Sequence, residues 1–320
     1  MSMRPRVTLL AGGGGGAKLA AGLGQLSAQY EGLVVTNVGD DFEHLGLTIC
    51  PDTDSVLYAL SGLIDPQRGW GRANESWRVL DELKAMNGPA WFNLGDLDIA
   101  LHLHRGHWLA QGESLSAVTA RLATSLGITD IAVAPATDQQ LRTQVETDEG
   151  RLEFQQYFVA RRCEPKVSAI EFTVAHNAQP SDALVSFSQT AIDCLVLGPS
   201  NPLLSIDPIF RVPGMLELLK KAKTRVAVCP IVGGAAIKGP LAKLMAEMNM
   251  PVSAQGWMQY MQAAYPGLID LWVFDEQDRE HEHALQSSAG GMIFLDTVMT
   301  DADKARGLAS HILAQAIDHA

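Results

Sequence analysis

Short apolar runs alternate with helix-like periodicity along this chain, and a glycine run follows the first of them. Residues 7–10 form an apolar run bounded by glycine, which is typical of a strand buried on both faces of a parallel sheet. Residues 17–25 have a helical pattern that begins directly after the glycines. The next apolar run, 33–37, is followed by a Gly-Asp-Asp sequence at 39–41. This order predicts a doubly wound α/β sheet with its ligand crevice at the carboxyl ends of the strands.

The same alternation continues along the rest of the chain. Further strands are predicted at 131–134, 194–197, 225–229 and 271–274, and an alternating pattern predicts an antiparallel strand at 151–159. Helices are predicted at 55–63, 76–86, 114–126, 215–221, 241–248 and 301–316. We therefore predict a Rossmann-like, doubly wound, mostly parallel α/β sheet in one unit, 1–320. Residues 1–60 and 185–320 are expected to form its core, and 61–184 an inserted, smaller α/β substrate-binding portion.

Charge and composition argue against nucleic-acid and membrane partners. The net charge is −12 and no basic run is segregated along the chain, which argues against a nucleic-acid partner. No apolar run reaches the roughly 20 residues that a membrane-spanning helix needs, and the N-terminus has no signal-peptide pattern. The 4 cysteines form no CxxC pair, which is typical of reduced thiols. We expect a cytoplasmic enzyme with neither a nucleic-acid nor a membrane partner.

The first strand is separated from the first helix by five consecutive glycines, Gly12, Gly13, Gly14, Gly15 and Gly16. Backbone N–H groups in such a loop can approach a phosphate closely, because no Cβ atoms intervene. Lys18 can add a positive charge to this site. The loop is not a P-loop, since Leu19 stands where that motif has serine or threonine. A phosphate-binding loop is the favoured interpretation, with a nicotinamide site or a plain tight turn as alternatives.

Four carboxylates follow the second strand, at Asp40, Asp41, Asp52 and Asp54. A diphosphate substrate usually travels with Mg²⁺, which prefers one or two carboxylates together with phosphate oxygens. Asp52 and Asp54 are therefore candidate ligands of Mg²⁺. The alternative is that one of them only caps the helix that begins near Ser55.

Two later strands also end in polar loops. The strand 194–197 is followed by Gly-Pro-Ser-Asn-Pro, in which the prolines fix a rigid loop with Ser200 and Asn201 at its tip. A rigid hydroxyl and amide at a strand end are suited to reading a base or an acid group. After the strand 225–229 come a second glycine pair and Lys238, which indicate another contact with an anion.

Taken in order, these segments resemble the 2-phospho-L-lactate transferase family of deazaflavin coenzyme F-420 biosynthesis. The resemblance runs from about residue 6 to about residue 310. It includes the WF-LGD-D segment that precedes His102. The other matching segments are GGGGGAKLAAGL, VGDD, PDTDSVLYALSGLIDPQRGWG, FQQYFV, GPSNPLLSI, VPGM and PIVGGAAIKGP.

The resemblance implies a Rossmann-like phosphotransferase that is commonly dimeric, so a homodimer is expected. Such an enzyme receives a guanosine diphosphate-linked three-carbon acid, for example lactyl-2-diphospho-5′-guanosine, from a guanylyltransferase. It transfers the phospho-acid to the ribityl 5′-hydroxyl of the deazaflavin Fo with the help of Mg²⁺, and GMP leaves. The product is F-420 without glutamates, or its dehydro form.

For the donor, we hypothesise that the glycine run 12–16 and Lys18 hold the diphosphate. Ser200 and Asn201 are expected to help hold the guanosine. The related gluconeogenesis-factor proteins share a similar glycine-loop fold, so a nucleotide-sugar-binding regulator that need not catalyse is the main alternative. An NAD-dependent oxidoreductase is a third alternative, but the sequence has no recognisable set of residues for hydride transfer.

For the acceptor, the family's deazaflavin contacts fall on Asp54 and Asn93. We hypothesise that Asp54, together with Asp52, is catalytic and either holds Mg²⁺ or meets the acceptor hydroxyl. The chain departs from the family at Gly14, where threonine is frequent, and at Leu97, where arginine is frequent. Donors built on lactate, enolpyruvate or 3-phosphoglycerate all remain open, and the departures mildly favour a donor other than the lactyl one.

Overall fold

The computed structural model describes residues 4–236, 239–286 and 291–317. No helix in these three ranges is long and apolar enough to cross a membrane. The strands are β1 (Arg6–Ala11), β2 (Glu31–Thr36), β3 (Phe42–His44), β4 (Leu47–Ile49), β5 (Ala132–Pro135), β6 (Leu141–Thr147), β7 (Gly150–Glu153), β8 (Val167–Val174), β9 (Cys194–Leu197), β10 (Thr224–Val228), β11 (Ile231–Val232), β12 (Ala235–Ala236), β13 (Leu271–Asp275) and β14 (Gly291–Leu295).

The α-helices lie between these strands. They are α1 (Gly13–Gly24), α2 (Pro51–Leu60), α3 (Arg78–Ala85), α4 (Asp96–Ala110), α5 (Leu115–Ser125), α6 (Asp182–Phe187), α7 (Asp207–Arg211), α8 (Met215–Leu219), α9 (Leu241–Glu247), α10 (Ala254–Ala264), α11 (Glu282–Gln286) and α12 (Ala302–Ile317). Short 3₁₀ or π turns occupy Ser27–Gln29, Gln156–Ala160, Pro202–Ile206 and Glu276–His281.

The central sheet of the described residues has seven strands, in the order β14-β13-β10-β9-β1-β2-β5. Every neighbouring pair in it is parallel, which confirms the predicted doubly wound α/β fold. The chain runs from β1 outward through β2 to β5, and then returns to β9 and continues outward on the other side. The strand order therefore reverses between β1 and β9, and the carboxyl ends of these two strands flank the crevice in which such folds bind ligands.

Alternate residues of β1 enter hydrophobic clusters on opposite faces of the sheet. Leu9 belongs to the cluster that α1, α2 and α12 cover, while Leu10 belongs to the cluster covered by α7, α9 and α10. This burial on both faces explains why residues 7–11 of β1 are all buried and, apart from Thr8, apolar rather than alternating. At roughly 25 cal/mol for each Å² of apolar surface removed from water, the two clusters supply the main favourable term in folding.

The predicted inserted portion, 61–184, contributes to two sheets. Its strand β5 pairs with β2 and forms one edge of the central sheet. Its strands β6, β7 and β8 form an antiparallel sheet in the order β7-β6-β8. The strand predicted over 151–159 is wrong beyond Glu153. A π turn follows, because Phe154 and Tyr157 are both buried at a spacing of three residues, as on a helix.

A short hairpin, β3–β4, connects β2 with α2. Its two turn residues, Leu45 and Gly46, have positive φ angles of 53° and 76°. This conformation at both central residues matches a type I′ turn, whose twist suits antiparallel strands. The hairpin returns the chain to the carboxyl edge of the sheet, where α2 begins with Pro51 at its first position.

Candidate active site

The glycine run packs against the loop that follows β9. A Cβ atom on Gly15 would lie 2.2 Å from the carbonyl oxygen of Pro199, and one on Gly16 would lie 2.8 Å from Ser200 Oγ. The same Ser200 hydroxyl accepts a hydrogen bond of 3.2 Å from the backbone N–H of Gly12. Gly15 and Gly16 need to be glycine because the two loops touch, and a Cβ atom on Gly12 would lie 2.4 Å from Ser205 Cβ. The structure thus brings Ser200 to the glycine run, where its hydroxyl supports the loop.

Gly13 and Gly14 face open space instead. A Cβ atom at either position would have no neighbour within 4 Å, and Gly13 has a positive φ of 61°. Helix α1 begins at Gly13, earlier than its apolar pattern predicts, and has no side-chain cap. The N–H groups of its first turn therefore have no acceptor inside the helix, and the helix dipole adds a positive potential there. This end of α1 can bind a phosphate group.

Asp52 lies at the same helix end. Its Oδ1 accepts a hydrogen bond of 2.6 Å from the N–H of Gly13, and its Oδ2 accepts one of 2.9 Å from Asn37 Nδ2. Burial raises the pKa of Asp52 to about 6, although these two hydrogen bonds lower it. The N-cap of α2 is Cys50, and no side chain caps the helix. Asp52 and Asp54 therefore do not act as helix caps.

Asn37 was not singled out by the sequence analysis, although it follows a buried strand at the carboxyl edge of the sheet. Its Nδ2 also donates to the carbonyl oxygen of Leu204 at 3.2 Å, and its Oδ1 accepts from the N–H of Gly39 at 2.8 Å. Asn37 thereby fixes the acidic loop relative to Asp52. In that loop Asp40 is buried, and its Oδ1 has no hydrogen-bond partner among the described residues.

The residues around Asp40 and Asp52 fit a divalent cation. Burial raises the pKa of Asp40 well above its usual range, and the nearby charge of Asp52 raises it further. A cation between the two carboxylates would offset both effects and would use the unpartnered oxygen. No group of three or more His, Cys, Asp and Glu suited to a metal occurs in the described part of the chain. Mg²⁺ can bind with one or two carboxylates when phosphate and water oxygens complete its shell, so Asp40 and Asp52 are the residues that could hold it together with a phosphate ligand.

Asp54 points to a different neighbour. Two residues along a helix rotate a side chain by about 200°, so Asp54 and Asp52 lie on opposite sides of α2. Both oxygens of Asp54 accept hydrogen bonds from the fully buried guanidinium of Arg105, from Nη2 to Oδ1 and from Nη1 to Oδ2 at 3.2 Å. This bidentate ion pair disfavours Asp54 as a ligand of Mg²⁺. Sequence analysis missed Arg105 because its partner is 51 residues away.

His102 completes this buried group. Its Nδ1 lies 3.0 Å from Arg105 Nη1 and must accept that hydrogen bond, because a guanidinium can only donate. Burial lowers the pKa of His102 to about 4, so the ring is neutral at pH 7. One turn earlier on α4, Asp98 accepts a hydrogen bond of 2.6 Å from Tyr58 of α2. Polar contacts thus fix α4 against the helix that carries Asp52.

Asn93 lies in the segment that leads into α4. It is exposed and borders a cavity of about 370 Å³ that Arg68, Trp70 and Trp77 also line. The guanidinium of Arg68 lies 5.2 Å from the ring centroid of Trp70 and 4.8 Å from that of Trp77. This cavity offers exposed aromatic surface together with an amide that can donate and accept hydrogen bonds.

Aromatic side chains also lie on the other side of this segment. The rings of Phe42, His44, Trp91 and Phe92 pack with centroid separations between 4.9 and 6.1 Å. His44 and Phe92 line an apolar cavity of about 280 Å³. The segment that carries Asn93 therefore runs between two cavities.

Comparison with known proteins identifies the family of this chain. The profile of a protein family described as 2-phospho-L-lactate transferase CofD matches residues 7–317. The chain belongs to this family. A 2-phospho-L-lactate transferase of Methanosarcina mazei is 36% identical over 95% of this chain and 98% of its own length. A phosphoenolpyruvate transferase of Streptomyces griseus is 35% identical over 96% of this chain and 97% of its own length. Family membership makes the protein a transferase.

A solved structure supports the fold of this transferase independently. A member of the UPF0052 family from Bacillus halodurans superposes with a TM-score of 0.66 and covers 98% of this chain and 100% of its own. Its sequence identity is 16%, so the likeness concerns the fold alone.

Two predicted donor-site residues of the transferase have partners elsewhere. Lys18 Nζ donates a hydrogen bond of 2.6 Å to the carbonyl oxygen of Met299, which precedes α12. Asn201 Oδ1 accepts from the two backbone N–H groups that open the next turn, at 3.0 and 3.3 Å. Lys238 lies outside the described residues. The structure therefore brings together the glycine run, Asp52 and Ser200. The side chains of Lys18 and Asn201 instead form hydrogen bonds with backbone groups.

Proposed function

We propose that this transferase moves a phospho-acid from a guanosine diphosphate-linked three-carbon acid to the ribityl hydroxyl of the deazaflavin Fo, in coenzyme F-420 biosynthesis. The observation that carries the proposal is the meeting of an open helix end, at Gly13 and Gly14, with the carboxylate of Asp52. A diphosphate that travels with Mg²⁺ needs both features at one place. The names of the two relatives, for 2-phospho-L-lactate and phosphoenolpyruvate, support an acid of this class.

The donor half of the site uses backbone and carboxylate groups. The first-turn N–H groups of α1 hold the diphosphate, and Ser200 keeps the glycine loop in shape through Gly12. Asp40 and Asp52 would hold Mg²⁺, because they are buried and Asp40 keeps an oxygen without a partner. When bound, Mg²⁺ neutralises charge on the phosphoryl oxygens. The net charge of the protein is no obstacle, since neutral N–H groups can bind a phosphate.

The reaction is a displacement at phosphorus. The acceptor oxygen forms a bond to the phosphorus of the phospho-acid, the bond from that phosphorus to the GMP oxygen breaks, and the hydroxyl proton passes to the departing GMP phosphate or to water. Catalysis of such transfers is mainly positioning and charge neutralisation. We assign Asp54 to the hydroxyl chain of the acceptor, because it lies on the side of α2 opposite Asp52. Its two bonds from Arg105 leave lone pairs that can accept a further hydrogen bond and fix its orientation.

The acceptor's flat ring system needs an aromatic surface. The cavity beside Asn93 supplies one through Trp70 and Trp77, and the amide of Asn93 can bond to a polar ring edge. The segment from Asn93 runs directly into α4, which carries the Arg105 partner of Asp54. Residues 93–105 would therefore contact the acceptor ring through Asn93 and, through Arg105, orient the Asp54 carboxylate that contacts the hydroxyl chain.

Mass spectrometry tests this proposal. The enzyme is incubated with Fo, Mg²⁺, GTP, a guanylyltransferase and a mixture of 2-phospholactate, phosphoenolpyruvate and 3-phosphoglycerate. We expect one Fo adduct, formed with an equal amount of GMP, and its mass identifies the acid. No Fo adduct with any of the three acids would contradict the proposal. Titration of the protein with Fo alone, followed by Fo fluorescence, distinguishes the transferase from the alternative function, because a nucleotide-sugar-binding regulator should not bind Fo.

A further inference from the structure

Arg142 reaches the candidate site from the small antiparallel sheet. The N–H of the next residue, Thr143, donates a hydrogen bond of 2.8 Å to the carbonyl oxygen of Gly39. The start of β6 is therefore joined to the acidic loop that follows β2. Arg142 is the residue next to this contact on β6, so its positive charge lies beside the acidic loop.

This guanidinium is largely uncommitted. Its Nη1 donates to the carbonyl oxygen of Leu141 at 2.9 Å, and no salt bridge of Arg142 occurs within the described ranges. Asp41 Oδ1 has no hydrogen-bond partner there either. The residue is half-buried, which leaves part of its side chain open to a ligand.

Neighbouring cations have other partners. Arg105 binds Asp54 through both of its terminal nitrogens, and Lys18 donates to the carbonyl oxygen of Met299. Among the described residues, Arg142 is therefore a cation beside the acidic loop that keeps most of its donors unused. A guanidinium is a planar fork of N–H donors that matches a carboxylate in a bidentate arrangement.

We propose that Arg142 binds the carboxylate of the three-carbon acid in the donor, and so selects donors that carry this group. The inference rests on the proposed function, because the donor is the molecule that brings a carboxylate to this loop. A carboxylate that enters beside the buried acidic side chains Asp40 and Asp41 is favoured by a cation at this loop. In the proposed function the helix end and Mg²⁺ held by Asp40 and Asp52 would bind the phosphates, which leaves the acid group as the part of the donor without a cationic partner.

Isothermal titration calorimetry on the intact enzyme tests the inference. Three probes are compared with Mg²⁺ present: the guanosine diphosphate-linked acid that the wild-type enzyme uses, the same molecule with a carboxamide in place of the carboxylate, and GDP. The variants are Arg142→Gln, Arg142→Lys and the matched control Arg151→Gln. Arg151 is an exposed arginine of the adjacent strand β7, whose partners are Glu146 and Glu171.

For the wild type we expect the carboxylate donor to bind roughly 10-fold to 100-fold more tightly than its carboxamide. Arg142→Gln should remove most of this preference, Arg142→Lys should keep part of it, and GDP binding should not change. Arg151→Gln should behave as the wild type. An equal weakening of all three probes in Arg142→Gln, or an unchanged preference, would overturn the inference while Fo adducts still form. If the wild type forms no Fo adduct from any donor, the proposed function fails and this inference fails with it.

Discussion

Asp52 and Gly13 are joined by a hydrogen bond of 2.6 Å between residues that lie 39 positions apart in the chain. The bond links the first turn of α2 to the first turn of α1, at the carboxyl edge of the sheet. It places a carboxylate where the helix end is otherwise open to a ligand. Asp52, rather than Asp54, therefore faces the phosphate-binding end of α1.

The glycine run should divide into positions that tolerate a side chain and positions that do not. Gly15→Ala should destabilise the protein by about 2 kcal/mol or more, because its Cβ would lie 2.2 Å from the carbonyl oxygen of Pro199. Gly14→Ala is the matched control. Its Cβ meets nothing within 4 Å, and alanine favours a helix over glycine by up to about 1 kcal/mol. Urea unfolding measures both variants; equal stabilities would contradict the packing described for Gly15.

The buried pair of Asp54 and Arg105 should show strong coupling. Asp54→Asn and Arg105→Met should each lower the free energy of unfolding by about 3–5 kcal/mol, because each leaves one buried charge without its partner. The double variant should recover most of this loss. If Asp54 also meets the acceptor, the double variant should regain stability without regaining turnover.

Denaturant unfolding and steady-state kinetics on the same three variants check this prediction. Additive stability losses would show that the two side chains do not interact in solution. Recovered turnover in the double variant would limit Asp54 to a structural role.

Stability should fall in mild acid through His102. Burial lowers the pKa of this ring from 6.5 to about 4, so between these values the unfolded chain binds the proton and the folded protein does not. Lowering the pH through this window therefore favours unfolding, by up to about 3 kcal/mol. In His102→Asn, whose Oδ1 can still accept from Arg105, this contribution is absent. Unfolding free energies of both proteins from pH 7 to pH 4 measure it; parallel curves would show that His102 titrates normally.

Asn93 should affect the acceptor and leave the donor unchanged. Its side chain is exposed, so Asn93→Ala should change stability by less than about 0.5 kcal/mol. Loss of a hydrogen bond to the ring of Fo should raise the KM for Fo by roughly 3-fold to 10-fold. The KM for the donor, measured in the same variant, is the internal control. An unchanged KM for Fo would remove Asn93 from the acceptor site.

The order of elements could be predicted from the sequence because the sheet strands are buried on both faces. The strand Cys194–Leu197 and the helix after Ser114 match the pattern closely, and the side chain of Ser114 caps this helix by accepting a hydrogen bond of 3.2 Å from the N–H of Ala117. The start of α1 at Gly13 could not be predicted, because glycine is a poor helix former and tertiary contacts with the β9 loop and with Asp52 hold this turn.

The site was predictable where neighbouring strand ends meet and not where distant side chains pair. Asp52 was expected near the glycine run because it comes after the second sheet strand, although the hairpin β3–β4 that returns the chain to this edge was not predicted. The partner of Asp54 does not follow, because α4 carries Arg105 on a helix whose packing the local pattern does not specify. Arg142 was missed for the same reason, since β6 reaches Gly39 only through tertiary packing.

The dependence of turnover on Mg²⁺ concentration tests the central claim most directly. Formation of the Fo adduct is measured against Mg²⁺ for the wild type, Asp52→Asn and Asp40→Asn, with Arg151→Gln as control. The account predicts that both asparagine variants remain folded, need at least about 10-fold more Mg²⁺ for half-maximal rate and lose about 100-fold or more in kcat. A wild-type Mg²⁺ dependence and kcat in both variants would contradict the assignment of Asp40 and Asp52 to the metal and the donor.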